Sequence, residues 1–386
     1  MVYDYITTGW NMQNISLYVH IPFCARKCAY CDFYSVVYDK HTADAYVDVL
    51  CAQIGKIERP ASTIFIGGGT PTVLEAPAMR RLLRCLGKLS ARGAEFTVEA
   101  NPESLTSDKM GLFLDEGVNR ISIGVQSFRD DKLRKLGRIH DSRKARNSVL
   151  AAAKKGFRNI NADLIFGAPG EALEECAAEF DEAAGLPLTH ISCYCLSYEK
   201  GTPLYEARKK GDVAPIEDEY AAQMYSYAID FLPKRGFMHY EVSNFAKKGY
   251  TCRHNVNYWE NNEYIGLGAS AVTYTGGDRM RYIPDIKEYI EKVSSGGSAF
   301  VSSEHLVGER KARETAAVKI RTVEGINFRR FREKTGCDFM KLESGAIRKL
   351  YEAGLVKFRR SKGRRSGVAL TKRGFLFCDT VSSELL

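Results

Sequence analysis

The sequence lacks a long apolar run. Its longest stretch without a charged residue, Tyr5 to Ala25, carries Thr, Asn, Gln and His throughout and does not read as a membrane span. The same stretch lacks the basic start and unbroken apolar middle of a secretory leader, because the first Lys or Arg is Arg26. A cytoplasmic protein is expected, with any membrane contact peripheral. No short-period repeat is present. With 45% apolar and 27% charged residues, disorder, collagen-like repeats and a disulfide mini-scaffold are excluded too. A chain of 386 residues suits a domain of about two hundred residues or more with a smaller partner.

Cysteine is not scarce. There are eleven, an odd number that would leave one unpaired in an oxidising compartment, so thiols and metal ligands are the better reading. Cys24, Cys28 and Cys31 crowd together. Cys51, Cys85, Cys176, Cys337 and Cys378 are scattered through amphipathic or apolar surroundings, as small hydrophobes are. Acid is missing from one stretch only: Lys357 to Arg373 holds eight Lys or Arg and no Asp or Glu, within a formal net charge of +9. The rest is close to neutral, which argues against a nucleic-acid footprint over the whole protein.

Six short runs rich in β-branched or aromatic residues read as strands: Ile15–His20, Thr63–Ile66, Glu95–Glu99, Asn119–Val125, Asn159–Phe166 and His190–Leu196. Ala43–Ile57, Met79–Leu89, Ser142–Lys155 and Leu173–Ala184 lie between them with apolar residues at helical spacing, and a further helix is expected over Glu217–Leu232. This alternation predicts an α/β fold, a partial (βα)6 TIM-like barrel with helices outside a parallel sheet. Beyond it the pattern changes. The expected organisation is a tail over 1–14, the barrel over 15–235, an extension with a Gly/Ser-rich linker over 236–298, and a smaller C-terminal unit over 299–386. In that unit Glu309–Arg321, Phe328–Thr335 and Lys341–Ala353 read as helices. Residues 354–358 and 367–370 read as a hairpin, and Thr371 as the cap of a last helix. Helices followed by a basic hairpin suggest an α+β winged-helix-like unit.

The strongest local signal is Cys24-Ala-Arg-Lys-Cys28-Ala-Tyr-Cys31, directly after the first strand. Thiolates are the usual iron–sulfur ligands and a cubane takes four. Three sulfurs from one loop leave the fourth iron open, and open coordination marks a reactive or substrate-binding metal. Arg26 and Lys27 within the loop are expected to favour thiolate over thiol. The alternative is zinc with His20 or Asp32 as fourth ligand. Zinc more often takes sulfurs as two distant pairs, and no second pair suits that.

Tyr18-Val-His20-Ile-Pro-Phe-Cys24 and the loop after it resemble the radical S-adenosylmethionine superfamily, and within it the coproporphyrinogen-dehydrogenase-like branch. The resemblance implies a 4Fe–4S cluster whose open iron chelates the amino and carboxylate groups of S-adenosylmethionine. It also implies that one electron can cleave the sulfonium. Strand exits support it, since function in (βα) barrels collects at the C-terminal ends of strands. The second strand ends in Gly67-Gly68-Gly69-Thr70-Pro71 and the third at Glu99. The fourth ends in Gly124-Val-Gln126, with Arg138 following, the fifth carries Asp163, and the sixth runs Cys193-Tyr194-Cys195-Leu196-Ser197. Each alone has a dull alternative, as turn, helix-entry charge or strand cap. By the resemblance, Tyr18, Tyr30, Gly68, Gly69, Thr70, Glu99, Gln126, Arg138, Asp163 and Ser197 contact S-adenosylmethionine. Cys193 and Cys195, two apart on one strand face, are expected to be core thiols.

Two departures separate this chain from the porphyrinogen-oxidising members. Their fourth cysteine, two residues after the third, is Phe33 here, and only 23 residues precede Cys24. Both features resemble the heme-chaperone members, as do Tyr240-Glu241-Val-Ser-Asn244-Phe245 and His254-Asn255-Val-Asn-Tyr258-Trp259. The resemblance implies heme held by His254, with Tyr258 and Trp259 as an apolar wall and Arg253 at a propionate. The alternative for His254 is a buried imidazole bonded to a neighbour. Cys252 is a competing ligand, and no Cys-x-x-Cys-His attachment motif exists. The leading expectation is a carrier of cluster, S-adenosylmethionine and heme that serves respiratory hemoproteins, with an electron donor for the cluster. The alternatives are a radical oxidoreductase acting on a tetrapyrrole and, more weakly, a nucleic-acid-binding protein with a structural cluster. For the basic hairpin, a solvated wing or a docking surface for an acidic partner or membrane is favoured over nucleic acid.

Overall fold

The computed structural model describes residues 14 to 386. The expected tail therefore lies outside the described residues, apart from Asn14. The strands are β1 (Ile15–Ile21), β2 (Phe23–Cys24), β3 (Val36–Val37), β4 (Ala61–Gly68), β5 (Ser90–Ala100), β6 (Arg120–Gln126), β7 (Asn159–Phe166), β8 (His190–Cys195), β9 (Met238–Glu241), β10 (Asn244–Ala246) and β11 (Ile265–Leu267). Nine of these form one sheet in the order β11-β1-β4-β5-β6-β7-β8-β10-β9. It is parallel from β11 to β8, and β10 and β9 add an antiparallel edge. The six expected strands are β1 and β4 to β8. The residues 236–298, expected as an extension, supply the other three.

Strand alternation sets the two faces of this sheet. In β6 the odd positions Ile121, Ile123 and Val125 are fully buried in the apolar core with Val149 and Phe180 of the outer helices. Each such side chain contributes roughly 1.5–3 kcal/mol on burial. The even positions, Arg120, Ser122, Gly124 and Gln126, face the barrel interior. The helices between strands carry their own start signals. Asp39 caps Lys40–Ile54 by accepting from Thr42 N at 2.8 Å, and Asp141 caps Ser142–Lys155 by accepting from Lys144 N at 2.7 Å.

β12 (Val272–Thr275), β13 (Asp278–Tyr282) and β14 (Phe300–His305) make a second, antiparallel sheet that runs across the expected boundary at 298. The C-terminal unit follows in the order helix Gly308–Lys319, β15 (Ile326–Asn327), helices Phe328–Thr335 and Phe339–Glu352, β16 (Val356–Ser361) and β17 (Arg364–Leu370). Its sheet order is β15-β17-β16. That is the winged-helix arrangement expected from the sequence, and Thr371 does cap the next helix, accepting from Gly374 N at 2.9 Å. Among the described residues no helix is long and apolar enough to cross a membrane.

Candidate cofactor site

The cysteine loop is held from three sides by backbone. Thr70 N donates to Phe23 O at 2.8 Å, Tyr38 N to Cys24 O at 2.9 Å, and Ala29 N to Leu136 O at 3.2 Å. The glycines of the β4 exit make the first contact possible. A Cβ on Gly69 would stand 2.7 Å from the Phe23 carbonyl and 3.0 Å from Cys24 Sγ, and Gly68 has φ +114°. Cys24 Sγ lies 3.5 Å from Thr70 Oγ1, and Arg138 Nη1 donates to Cys28 Sγ at 3.4 Å.

The expectation that Arg26 and Lys27 favour thiolate is met only in small part, by a minor lowering of Cys31 from Lys27. Both cations are exposed. Burial dominates, raising the Cys24 thiol and pushing Cys31 up to about 11, and the cation in contact with a thiol is Arg138. Metal binding at this loop therefore has to release protons.

A cavity of about 430 Å³ opens beside the loop. All three cysteines line it, as do Tyr30, Gly68, Gly69, Thr70, Glu99, Gln126, Arg138, Asp163 and Ser197. Of the ten expected S-adenosylmethionine residues only Tyr18 stands behind the wall, with its hydroxyl 2.9 Å from His20 Nδ1. Gln126 closes β6 at φ 65°, a costly conformation for a residue with a side chain. Two half-buried acids face the cavity. Glu99 is pushed up to about 8 by burial and then by the negative charge of Asp163, although Gly68 N donates to it at 3.1 Å. Burial also raises Asp163, against bonds from Asn161 at 2.8 Å and Ser122 at 3.4 Å.

This wall fits a cluster and S-adenosylmethionine. Three thiols border an open space, a glycine edge lets a ligand approach the backbone, and acids stand within for hydroxyl or amine groups. Arg138 holds its place by donating from Nη2 to Asn101 Oδ1 at 2.7 Å and to Gly124 O at 2.9 Å, while its Nε is buried without a partner. Among the described residues, no three His, Cys, Asp or Glu side chains converge on one ion.

His254 is elsewhere. It is 1% exposed, with Nδ1 2.8 Å from Thr63 Oγ1, Nε2 3.0 Å from Tyr258 Oη, and its ring stacked on Phe65 at 5.1 Å. Burial, then the charge of Arg120, pushes it down to about 3. Phe65 and Asn255 reach the cavity and His254 does not. Arg253 donates to Gly93 O at 2.8 Å, and Cys252 is buried with its thiol on Glu95. The reading of Cys193 and Cys195 as a core pair is half right. Cys193 is buried, but β8 ends at Cys195, which is exposed and lines the cavity. Sequence reasoning missed Asn101, Arg120, Asn161, Ser192 and Tyr194, all on the wall. A signal existed: polar residues recur two apart in β6, β7 and β8, where an ordinary barrel interior alternates branched apolar ones.

Partial barrel, three-thiol loop and cavity together define a radical S-adenosylmethionine protein. Residues 18–183 match the family described as the Radical SAM superfamily. The chain is 35% identical to heme chaperone HemW of Bacillus subtilis (strain 168), over 96% of this chain and 99% of that one. It is 41% identical to heme chaperone HemW of Escherichia coli (strain K12), over 70% of this chain and 74% of that one. Among solved structures, coproporphyrinogen III oxidase (HemN) from Escherichia coli, a radical SAM enzyme, superposes with a TM-score of 0.84. The superposition covers 100% of this chain and 92% of that one at 23% identity, a likeness in fold alone. The chain belongs to the HemW family within the radical SAM superfamily.

Proposed function

We propose that this protein is a heme chaperone that carries a 4Fe–4S cluster and S-adenosylmethionine and delivers heme to hemoproteins, respiratory ones in particular. The observation that carries the reading is that the relationship to the curated heme chaperones runs the length of the chain, C-terminal unit included. The site agrees, with Phe33 where the porphyrinogen-oxidising members have a fourth cysteine.

When bound and reduced, the cluster supplies an electron capable of opening the sulfonium of S-adenosylmethionine. The protein's own part is to hold and shield. Cys24, Cys28 and Cys31 anchor the cluster, and Arg138 offsets thiolate charge at Cys28. Gly68, Gly69 and Thr70 bring backbone against the ligand, while Glu99 and Asp163 meet its hydroxyl or amine groups. Asn101 ties these pieces together, donating to Thr70 Oγ1 at 2.8 Å while accepting from Arg138.

Heme on His254 requires the imidazole to release Thr63 or Tyr258. A heme at the cavity rim requires no such movement: there Phe33 is 66% exposed, and the cations Arg26 and Lys27 border the same cavity. That rim suits a flat apolar ring with anionic propionates. The basic wing over Lys357–Arg373 is the surface offered to an acidic recipient or to the membrane. The cluster's electron donor is a separate partner.

Anaerobic reconstitution with iron and sulfide analysis, followed by heme titration of the same sample, tests the reading. Absence of heme binding by cluster-loaded protein defeats it. Oxidative decarboxylation of coproporphyrinogen by reduced protein with S-adenosylmethionine would decide for the enzymatic alternative. Titrating His254→Ala and Phe33→Ser in parallel separates the two heme positions.

A further inference from the structure

Behind the part of the wall that Gln126 and Arg138 line, one buried cation ties together the segments that carry them. Lys132 donates from Nζ to Glu171 at 2.5 Å and to Glu179 at 2.7 Å, and none of the three lines the cavity. Burial works against the Lys132 charge, but Glu179 and Glu171 outweigh it and hold the ammonium above its ordinary range. Each carboxylate also grips the chain just past a strand. Glu179 accepts from Phe128 N at 2.6 Å and from the Ser127 hydroxyl, after β6. Glu171 accepts from Ala168 N at 2.9 Å, after β7.

The chain that Glu179 grips is strained. Ser127 N donates to Val125 O at 2.8 Å, so Gln126, at φ 65°, is the middle of a three-residue turn of a rare kind. Such a turn persists only where its surroundings over-determine it. Lys132 works in the other direction as well. It sits on the helix Asp130–Lys135, whose end leads to Arg138: Leu136 N donates to Lys132 O and Arg138 N to Leu133 O, both at 2.9 Å. Leu136 O in turn accepts from Ala29 of the cysteine loop at 3.2 Å.

Buried ionic groups are weak as stabilisers and are better attested as devices that fix one arrangement. We propose that Lys132, Glu171 and Glu179 are positioning residues for S-adenosylmethionine. They do not touch it. They act through the Gln126 turn and the placement of Arg138, and the inference rests on the reading of those two residues as contacts.

The experiment titrates S-adenosylmethionine into the cluster-loaded full chain, as wild type, Glu179→Gln, Gln126→Ala and Glu343→Gln. Affinity is read by calorimetry and by the change that S-adenosylmethionine causes in the electron paramagnetic resonance of the reduced cluster. Glu343 is the control for destabilisation alone, being 2% exposed and paired with Arg313 at 2.6 Å in the C-terminal unit. The expected result is a loss of about tenfold in Glu179→Gln at full iron content, the usual scale for a partner one layer behind a ligand. Glu343→Gln should bind as wild type does. Unchanged affinity in Glu179→Gln, an equal loss in Glu343→Gln, or failure of Glu179→Gln to load its cluster overturns the proposal. If Gln126→Ala weakens binding and Glu179→Gln does not, this inference falls alone. If neither does, the reading of the contact falls with it. Should Glu179→Gln fail to fold, Ser127→Ala removes one donor to Glu179, keeps every charge and is read in the same way.

Discussion

The barrel and the C-terminal unit use charge in opposite ways. Residues 326–386 hold 15 Lys or Arg against 6 Asp or Glu, which is the whole of the +9 formal charge. The other 325 residues are balanced. In the barrel, a few single charges are turned inward: Arg120, Glu99 and Asp163 on the cavity wall, and Lys132 behind it, 3% exposed between Glu171 at 2.5 Å and Glu179 at 2.7 Å. In the wing, Lys357, Lys362 and Arg364 point to solvent. Buried charges of this kind fix positions and tolerate no loss of a partner, whereas an exposed set builds a field to which each member adds little.

The largest expected effect is at the loop. Cys24→Ala, Cys28→Ala or Cys31→Ala should lower bound iron from about four atoms per chain to near none. Retention of a full complement would mean that other residues hold the metal. Next comes Lys132→Met, which strands two buried carboxylates. Its cost should be about 3–5 kcal/mol in urea denaturation. A loss under about 1 kcal/mol would erase the contrast with the wing.

The titrating groups come third, and their signs oppose. Glu99 moves from 4.5 up to about 8, so its contribution to stability is full below pH 4.5 and lost as pH rises to 8. His254 moves from 6.5 down to about 3, so its contribution is present above pH 6.5 and lost as pH falls toward 3. Glu99→Gln should flatten the first slope and His254→Gln the second, in denaturation series across pH. Smallest is the wing. Lys362→Ser with Arg364→Ser should change stability by less than about 0.5 kcal/mol and leave cluster loading intact, while weakening adsorption to anionic lipid vesicles at low salt.

Much of this was legible in the sequence, because the strongest signals were local. The helices Ser142–Lys155 and Phe328–Thr335 lie where periodicity put them, and Asn159–Phe166 is a strand from end to end. The cysteine spacing and the glycines after β4 marked the site for the same reason. What was not legible depends on distant partners. The strands β9, β10 and β11, three or four residues each, are strands only because β10 pairs with β8, β9 with β10, and β11 with β1. The short helices Ser107–Asp115 and Asp130–Lys135 offer too few turns for a period to stand out. His254 looked available in its motif, and the residues that close it off, Thr63 and Phe65, come from a strand far away in the chain.

The pairing of β1 with β11 has a consequence for biosynthesis. Leu17 gains its outer neighbour only when Ile265 has been made. Until the ribosome has delivered that stretch, the first strand of the nascent sheet is an apolar edge with bare amide and carbonyl groups. It can recruit a stray chain. Translation of this protein thus has a vulnerable interval whose end is set by the emergence of a three-residue strand.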